Sequence, residues 1–303
     1  MNPNRRSILS VPGHRESMHA KAAGSAADVV MLDLEDSCPP GEKVAAREVV
    51  KASALNLDWS RHTLTLRIND LAGPFALRDV LDLIPEIGPK LDTVVVPKVE
   101  SAAQMHYLDH LLTALETEAG INKPVGIEAI IESARALRDA TEIAEATPRM
   151  KCLVFGVADY SASINMPLSS ISGHGEADGL YPGDPLHFVY SRLILCGKAS
   201  GLKVIDAPYG NFRDAEGLKV AAARSRALGF DGKWAIHPSQ IEVVNEAFTP
   251  SEEEVERAKA VLHAFEEAKA SGKGATAIGS SMIDQASVRM AEDVMARVNA
   301  LFS

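Results

Sequence analysis

The chain has 303 residues, enough for two ordinary domains or one (β/α)₈ barrel. A formal charge of −10 and 5% aromatic content exclude a general nucleic-acid, anionic-membrane or base-stacking surface, while leaving room for one anionic ligand in a local basic pocket. Cys38, Cys152 and Cys196 form no C-x-x-C pair and read as core thiols, the N-terminus lacks a signal-like apolar stretch, and a soluble cytoplasmic protein is expected.

In chain order, residues 7–11 form a short apolar strand ended by Pro12-Gly13, and 18–27 are Ala-rich and helical. D-V-V-M-L-D-L at 28–34 reads as a buried strand running into Glu35-Asp36. Pro39-Pro40-Gly41 breaks the chain before a helical pattern at 42–55. Residues 63–68 alternate as a strand ending in Arg67-Ile68-Asn69-Asp70, and a short helix at 75–84 precedes a strand at 93–96 closed by Pro97-Lys98. An amphipathic helix is expected at 102–118.

The stretch 125–160 then gives two apolar runs, 125–131 and 152–157, joined by helical spacing at 133–147. Each run delivers a carboxylate, Glu128 and Asp159, and strand–helix–strand topology turns both toward one end of a parallel sheet. A Gly/Ser/Asn/Pro-rich segment at 161–185 has the composition of an active-site loop. Helices at 186–199 and 214–228 alternate with strands at 203–207 and 232–236, the first of these helices being apolar enough for an inner or interface position. Eight strands separated by helical runs favour an α/β (β/α)₈ TIM barrel over residues 1–248. No G-x-G-x-x-G or Walker pattern follows any strand, which argues against a nucleotide-binding Rossmann fold.

T-P-S-E-E-E-V-E-R-A opens a further helix, capped by Thr249 or Ser251, and a Ser271–Gly274 break leads to a last helix at 286–301. Residues 249–303 are too few for an independent domain and are expected to dock as a helical extension on the barrel or on a neighbouring subunit.

In a barrel, polar residues at the C-terminal strand ends carry the chemistry. Arg67 would supply positive charge for an anionic substrate or a developing oxyanion, or would form an ion pair with Asp36 or Asp70. Glu128 and Asp159 would hold magnesium or manganese rather than zinc, because no His or Cys cluster accompanies them. The plainer alternative makes Glu128 a core acid paired with Arg67 or Lys98. His237 in W-A-I-H-P-S-Q lies at the end of the last strand, as a ligand contact or as part of a turn fixed by Pro238. His14, His174 and His187 read as loop or helix-start residues. Arg15 and Lys21 flank the first strand-to-helix turn with Arg5 and Arg6 nearby, a phosphate-binding cluster or ordinary surface charge.

R-R-S-I-L-S-V-P-G, A-A-D-V-V-M-L-D-L-E-D-S, L-R-I-N, V-G-I-E-A-I-I-E, V-F-G-V-A-D-Y and G-K-W-A-I-H-P-S-Q-I, in that order, together resemble the HpcH/HpaI aldolase and citrate lyase β-subunit superfamily. G-D-P-L-H-F-V-Y-S-R-L and S-M-I-D-Q-A-S-V-R-M-A look most like its malyl-CoA, β-methylmalyl-CoA and citramalyl-CoA lyases. The resemblance implies a carbon–carbon lyase with Glu128 and Asp159 as magnesium ligands that also meet the substrate, and Arg67 at the substrate carbonyl. It implies Asp284 as a catalytic acid/base contributed by a neighbouring subunit's tail, and Asp36 as holder of a metal-bound water. Arg15, Lys21 and the Ile236-His237 turn fall where such enzymes meet coenzyme A. Acyl-CoA and 2-oxo acids are the implied small molecules, and a homotrimer or homohexamer the implied assembly. A malyl-CoA thioesterase and a citrate lyase β chain working only inside a complex stay open beside the lyase.

Overall fold

Residues 4–167, 184–270, 275–278 and 281–301 are described by the computed structural model. Eight parallel strands close into a barrel in sequence order: β1 Ser7–Pro12, β2 Val29–Asp33, β3 Thr63–Arg67, β4 Thr93–Val96, β5 Gly126–Ile131, β6 Met150–Phe155, β7 Lys203–Asp206 and β8 Gly232–Ala235. β8 returns to pair with β1, through Ser7 opposite Lys233. Val, Ile, Leu and Thr dominate these runs and are buried on both faces, as parallel strands covered by helices require.

Alternation along each strand divides the core into two shells. Ile8, Met31, Val95, Ile130, Val154, Ile205 and Trp234 pack together inside the barrel. Leu32, Leu66, Val94, Ile127, Leu153 and Val204 belong to the larger cluster that includes the helices, with Val50, Leu83, Leu108 and Leu193 from four of them. The cysteines are buried and free. Among the described residues, no helix is long and apolar enough to cross a membrane.

Two local differences from the sequence reading matter. The helical spacing at 133–147 yields two short helices, Ala134–Arg138 and Ala140–Ala144, interrupted at Asp139. Asp159 sits in the first turn of a helix, Val157–Ser163, that starts straight after β6. The helix His187–Ala199 buries Tyr190 and Leu193 but leaves Phe188 and Leu195 largely exposed. The expected active-site loop lies mostly outside the described residues, His174 included.

The chain divides into two compact units between Phe248 and Thr249. The second contains the helix Glu252–Ala270, a two-stranded hairpin of β9 Thr276–Ile278 and β10 Ser281–Ile283, and the helix Gln285–Ala300. Ser251 and Glu254 cap the first helix reciprocally, Ser251 N–H donating to Glu254 Oε2 and Glu254 N–H to Ser251 Oγ. Ala258, Val261, Ile283 and Ala291 form the small core of this unit, while Met282 and Met290 are exposed. The hairpin was not legible in the sequence, and the Ser271–Gly274 break lies outside the described residues.

Candidate active site

Strand polarity decides which acid on β5 can work at the mouth. Glu128 is the third residue of a six-residue strand, in the half nearer the barrel's N-terminal end. There it is 2% exposed and forms an ion pair with Arg5, which precedes β1, and accepts a hydrogen bond from Thr93 Oγ1 at the start of β4. The expectation of Glu128 as a metal and substrate ligand is therefore corrected: it is a satisfied core acid, with Arg5 as its partner rather than Arg67 or Lys98. The basic cluster inferred at the first turn dissolves for the same reason. Arg5 and Arg6 enter β1 from the N-terminal end, Arg6 pairing with Asp28, whereas Arg15 follows β1 at the other end.

Glu132, four residues on and on the same face by the two-residue period, takes the position at the strand end. It lines a cavity of about 380 Å³ with Asp36, Arg67, Gly156, Asp159 and Trp234 among its walls. Ser10, Pro12 and Ile236 complete the side formed by β1 and β8. Lys98 N–H donates to Glu132 Oε1 at 2.6 Å. Gly156 makes the close approach possible, because a Cβ there would stand 2.5 Å from both Glu132 Cβ and Oε2. Burial pushes the Glu132 carboxyl up to about 8, and the charge of Asp159 adds to the rise. Asp159 is exposed to the cavity from its helix turn.

Arg67 is held rigidly at the end of β3. Its Nε and Nη2 each donate to Asp33 at 2.6 Å, a bidentate pair, and Nη1 lies 3.0 Å from Glu35 Oε2. The guanidinium also stands 5.2 Å from the centre of the Trp234 ring. Burial alone would raise the Asp33 carboxyl, but Arg67 outweighs it and holds Asp33 below the usual carboxylate range. Arg67 in turn stays charged: burial opposes its charge, and Asp33 more than compensates. Glu35 is raised by burial, with Arg67 opposing, and is also bonded by Lys98 Nζ.

Asp33, Glu35, Asp36, Glu132 and Asp159 thus share two nearby cations, Arg67 and Lys98. Among the described residues, Glu132 and Asp159 have no ion-pair partner, and no group of three or more acids, histidines or cysteines stands ready as a metal cage. A pair of carboxylates short of positive charge, opening on a cavity of about 380 Å³ with room for a small ligand, fits an ion that keeps most of its coordination for water and substrate. Magnesium binds in that way.

The remaining predicted residues are distributed as follows. Ile236 borders the cavity. His237 follows it and is engaged locally, its ring stacking on Phe212 with centroids 4.6 Å apart and its Nδ1 2.8 Å from Ser239 Oγ. Arg15 is exposed just before the helix Glu16–Ala23, and Lys21 is in the last turn of that helix, so only Arg15 adjoins the strand-to-helix turn. A further acid at the end of β7, Asp206, faces outward and is buried against Lys233 and Ser225, a strut between β7 and β8. Asp284 caps the helix Gln285–Ala300 in the second unit, accepting from Ala286 and Ser287 N–H groups through Oδ1 alone. Those bonds hold its exposed carboxyl below the ordinary range.

With this geometry in view, the comparisons with known proteins are direct. The family model for HpcH/HpaI aldolase/citrate lyase matches residues 6–238. The chain belongs to this family. A second model, for a carbon–carbon bond lyase of the TIM-barrel fold, matches residues 180–301. The L-malyl-CoA/β-methylmalyl-CoA lyase of Cereibacter sphaeroides is 42% identical over 299 residues, covering 97% of this chain and 94% of that protein. The citrate lyase subunit beta of Leuconostoc mesenteroides is 35% identical over 98% of this chain and 94% of its own length. Protein CitE of Mycobacterium tuberculosis, solved with magnesium, acetoacetate and coenzyme A, superposes with a TM-score of 0.78 at 34% identity, covering 99% of this chain and 100% of that one. The protein is an enzyme of the carbon–carbon lyase class.

Proposed function

We propose that the chain is a Mg²⁺-assisted lyase that cleaves the C2–C3 bond of a short 3-hydroxyacyl-CoA, with malyl-CoA giving acetyl-CoA and glyoxylate as first-choice substrate. The observation that carries this reading is the juxtaposition of Glu132 and Asp159 beside Arg67 at the C-terminal mouth of the barrel, with Glu132 driven up to about 8 by burial and by the charge of Asp159. Glu132 and Asp159 would hold the ion, and Mn²⁺ shares the oxygen preference that makes it the alternative. Once bound, the metal supplies Lewis-acid polarisation of the 2-oxo-acid carbonyl.

The rest of the chemistry falls to side chains. Cleavage of malyl-CoA moves one proton from the hydroxyl to the carbon of the departing thioester enolate, while the C2–C3 electron pair passes to the enolate. A single acid/base group can do both transfers. Asp284 is our assignment, because its cap uses Oδ1 and its depressed pKa leaves it ionised to accept the hydroxyl proton first. Arg67, locked by Asp33, offers fixed positive charge to the enolate or alkoxide oxygen without reorganising. Asp36 borders the same cavity and would orient water at the metal. Arg15, Lys21, Ile236 and His237 are kept as coenzyme A contacts, of which Ile236 lies at the cavity.

The exposed Met282 and Met290, in the same unit as Asp284, support docking of that unit on a neighbouring subunit in a cytoplasmic homotrimer or homohexamer. Light scattering that returns a monomer would remove the shared site. The decisive assay supplies malyl-CoA and citramalyl-CoA to the purified chain, with and without Mg²⁺, and detects glyoxylate, pyruvate and free thiol separately. Glyoxylate with Mg²⁺ and none after chelation is expected. Pyruvate instead would shift the substrate by one methyl, a discrimination of only about 1–3 kcal/mol. Free thiol without any 2-oxo acid would make the enzyme a thioesterase, and no product from either ester would favour a complex-bound subunit.

A further inference from the structure

The turn after β4 joins the two halves of the acid cluster through one residue that has no place in the chemistry above. Lys98 follows Pro97 with φ of 52°, and only Asn165 shares a positive φ among the described non-glycine residues. Glycine takes this left-handed conformation without a steric cost, and a lysine does not. In extended backbone the N–H lies in the sheet and the side chain stands across it. Here both ends of Lys98 serve the mouth. Its amide donates to Glu132 Oε1 at 2.6 Å, and its ammonium bonds Glu35 Oε1. The other oxygen of Glu35 is 3.0 Å from Arg67 Nη1.

We propose that Lys98 is a positioning residue, whose left-handed amide aims the Glu132 carboxylate and whose ammonium shares the charge of Glu35, the acid that pairs with Arg67 Nη1, and so holds the Arg67 guanidinium in place at the mouth. The inference rests on the reading of Glu132 as a metal ligand. The two functions are chemically separable. Lys98→Gly keeps the amide and the φ while removing the ammonium. Lys98→Val removes the ammonium and also disfavours the left-handed backbone, because β-branched side chains resist positive φ. Lys98→Arg keeps the charge.

The test titrates MgCl₂ into wild type and variants by calorimetry, follows kcat and KM for malyl-CoA, and records circular-dichroism melts to establish that each variant is folded. Outer-shell partners of metal sites typically contribute about 10–100-fold to affinity or activity. Lys98→Gly should therefore keep Mg²⁺ affinity within about two-fold and lose about 10–100-fold in kcat, with Lys98→Arg recovering most of it. Lys98→Val should in addition weaken Mg²⁺ binding about ten-fold or more. An unchanged kcat in Lys98→Gly, or wild-type Mg²⁺ affinity in a folded Lys98→Val, overturns the assignment. Should Lys98→Val not fold, the Gly and Arg variants decide it by kcat alone. Wild-type protein that gives no Mg²⁺ binding heat overturns the ligand reading of Glu132 and this inference together, whereas wild-type binding with unaffected variants overturns only the role of Lys98.

Discussion

Glu128 and Glu132 are the same residue type on the same strand and the same interior face, and the two ends of the barrel treat them in opposite ways. At the N-terminal end, Glu128 meets Arg5 and the Thr93 hydroxyl, so its charge is matched where it is buried. At the C-terminal end, Glu132 has one backbone amide and the Asp159 carboxylate nearby, and burial, with the Asp159 charge adding, lifts its pKa to about 8. A buried charge with its own cation is a structural device, and a buried charge without one is a site awaiting a ligand. The contrast also appears at β3, where Asp33 closes on two nitrogens of Arg67 and the third, Nη1, pairs with Glu35 at the cavity wall.

The largest effects should come from breaking that contrast directly. Glu132→Gln is expected to lower kcat roughly 10³-fold or more, on the order of 4 kcal/mol of barrier, and to abolish Mg²⁺ binding in calorimetry. Its melting temperature without metal should not fall, because the substitution removes an uncompensated acid. Glu128→Gln should do the reverse. It leaves Arg5 as an unpaired buried cation and should destabilise the fold by about 3–5 kcal/mol in denaturant titration, with kcat per folded molecule within a few-fold of wild type. Equal losses of activity in the two variants would erase the distinction between the ends.

The sequence carried the barrel well and the site only partly, for identifiable reasons. The eight strands are runs of β-branched and aliphatic residues closed by proline, glycine or a charged pair, and such runs are legible without a structure. The place of Arg67 and Asp36 at the cavity was legible too, because each stands at the end of an apolar run. The choice between the acids of V-G-I-E-A-I-I-E was not settled by periodicity, since 128, 130 and 132 share one face. Where β5 ends depends on its pairing with β6, which carries Ile131 to Phe155 and leaves Glu132 beside Gly156. The rule that barrel chemistry sits at C-terminal strand ends was the available signal, and applied to the last residue of the motif it selects Glu132. Arg5 as partner of Glu128 required the closure of the barrel, because 123 residues separate them in the chain.

Gly156 gives a smaller perturbation at the working end. Its backbone φ of −105° is open to any residue, so its demand is for space alone. Gly156→Ala would press a methyl group onto Glu132 Cβ and Oε2 and turn the carboxylate away from Asp159. Overpacking of this kind costs about 1–3 kcal/mol, and a misplaced ligand about 10–100-fold in kcat, so activity should fall further than stability. Thermal melting beside steady-state kinetics separates the two. A variant that melts early but retains wild-type kcat would make Gly156 a packing residue only.

The mildest test changes no residue. In the metal-free protein Glu132 has a folded-state pKa of about 8, above the ordinary 4.5 of a free glutamate. Between those values the folded chain binds more protons than the unfolded one, so the Glu132 contribution to metal-free stability is present at low pH and is lost as pH rises towards 8. Binding a cation requires the ionised carboxylate and so releases a proton in the same window. Apparent Mg²⁺ affinity should therefore rise about nine-fold from pH 6 to 7, about five-fold from pH 7 to 8, and then level off. Calorimetry at pH 7 in two buffers of different ionisation enthalpy should report roughly 0.9 proton released per ion bound in wild type, as expected for a group with a pKa one unit above the working pH. The Glu128→Gln protein should release the same amount, since Glu128 is already paired with Arg5 and belongs to the other end of the barrel. Mg²⁺ binding without proton release at pH 7 would mean that Glu132 is ionised before the metal arrives, and the charge deficit at the mouth would have to be met by groups other than Arg67 and Lys98.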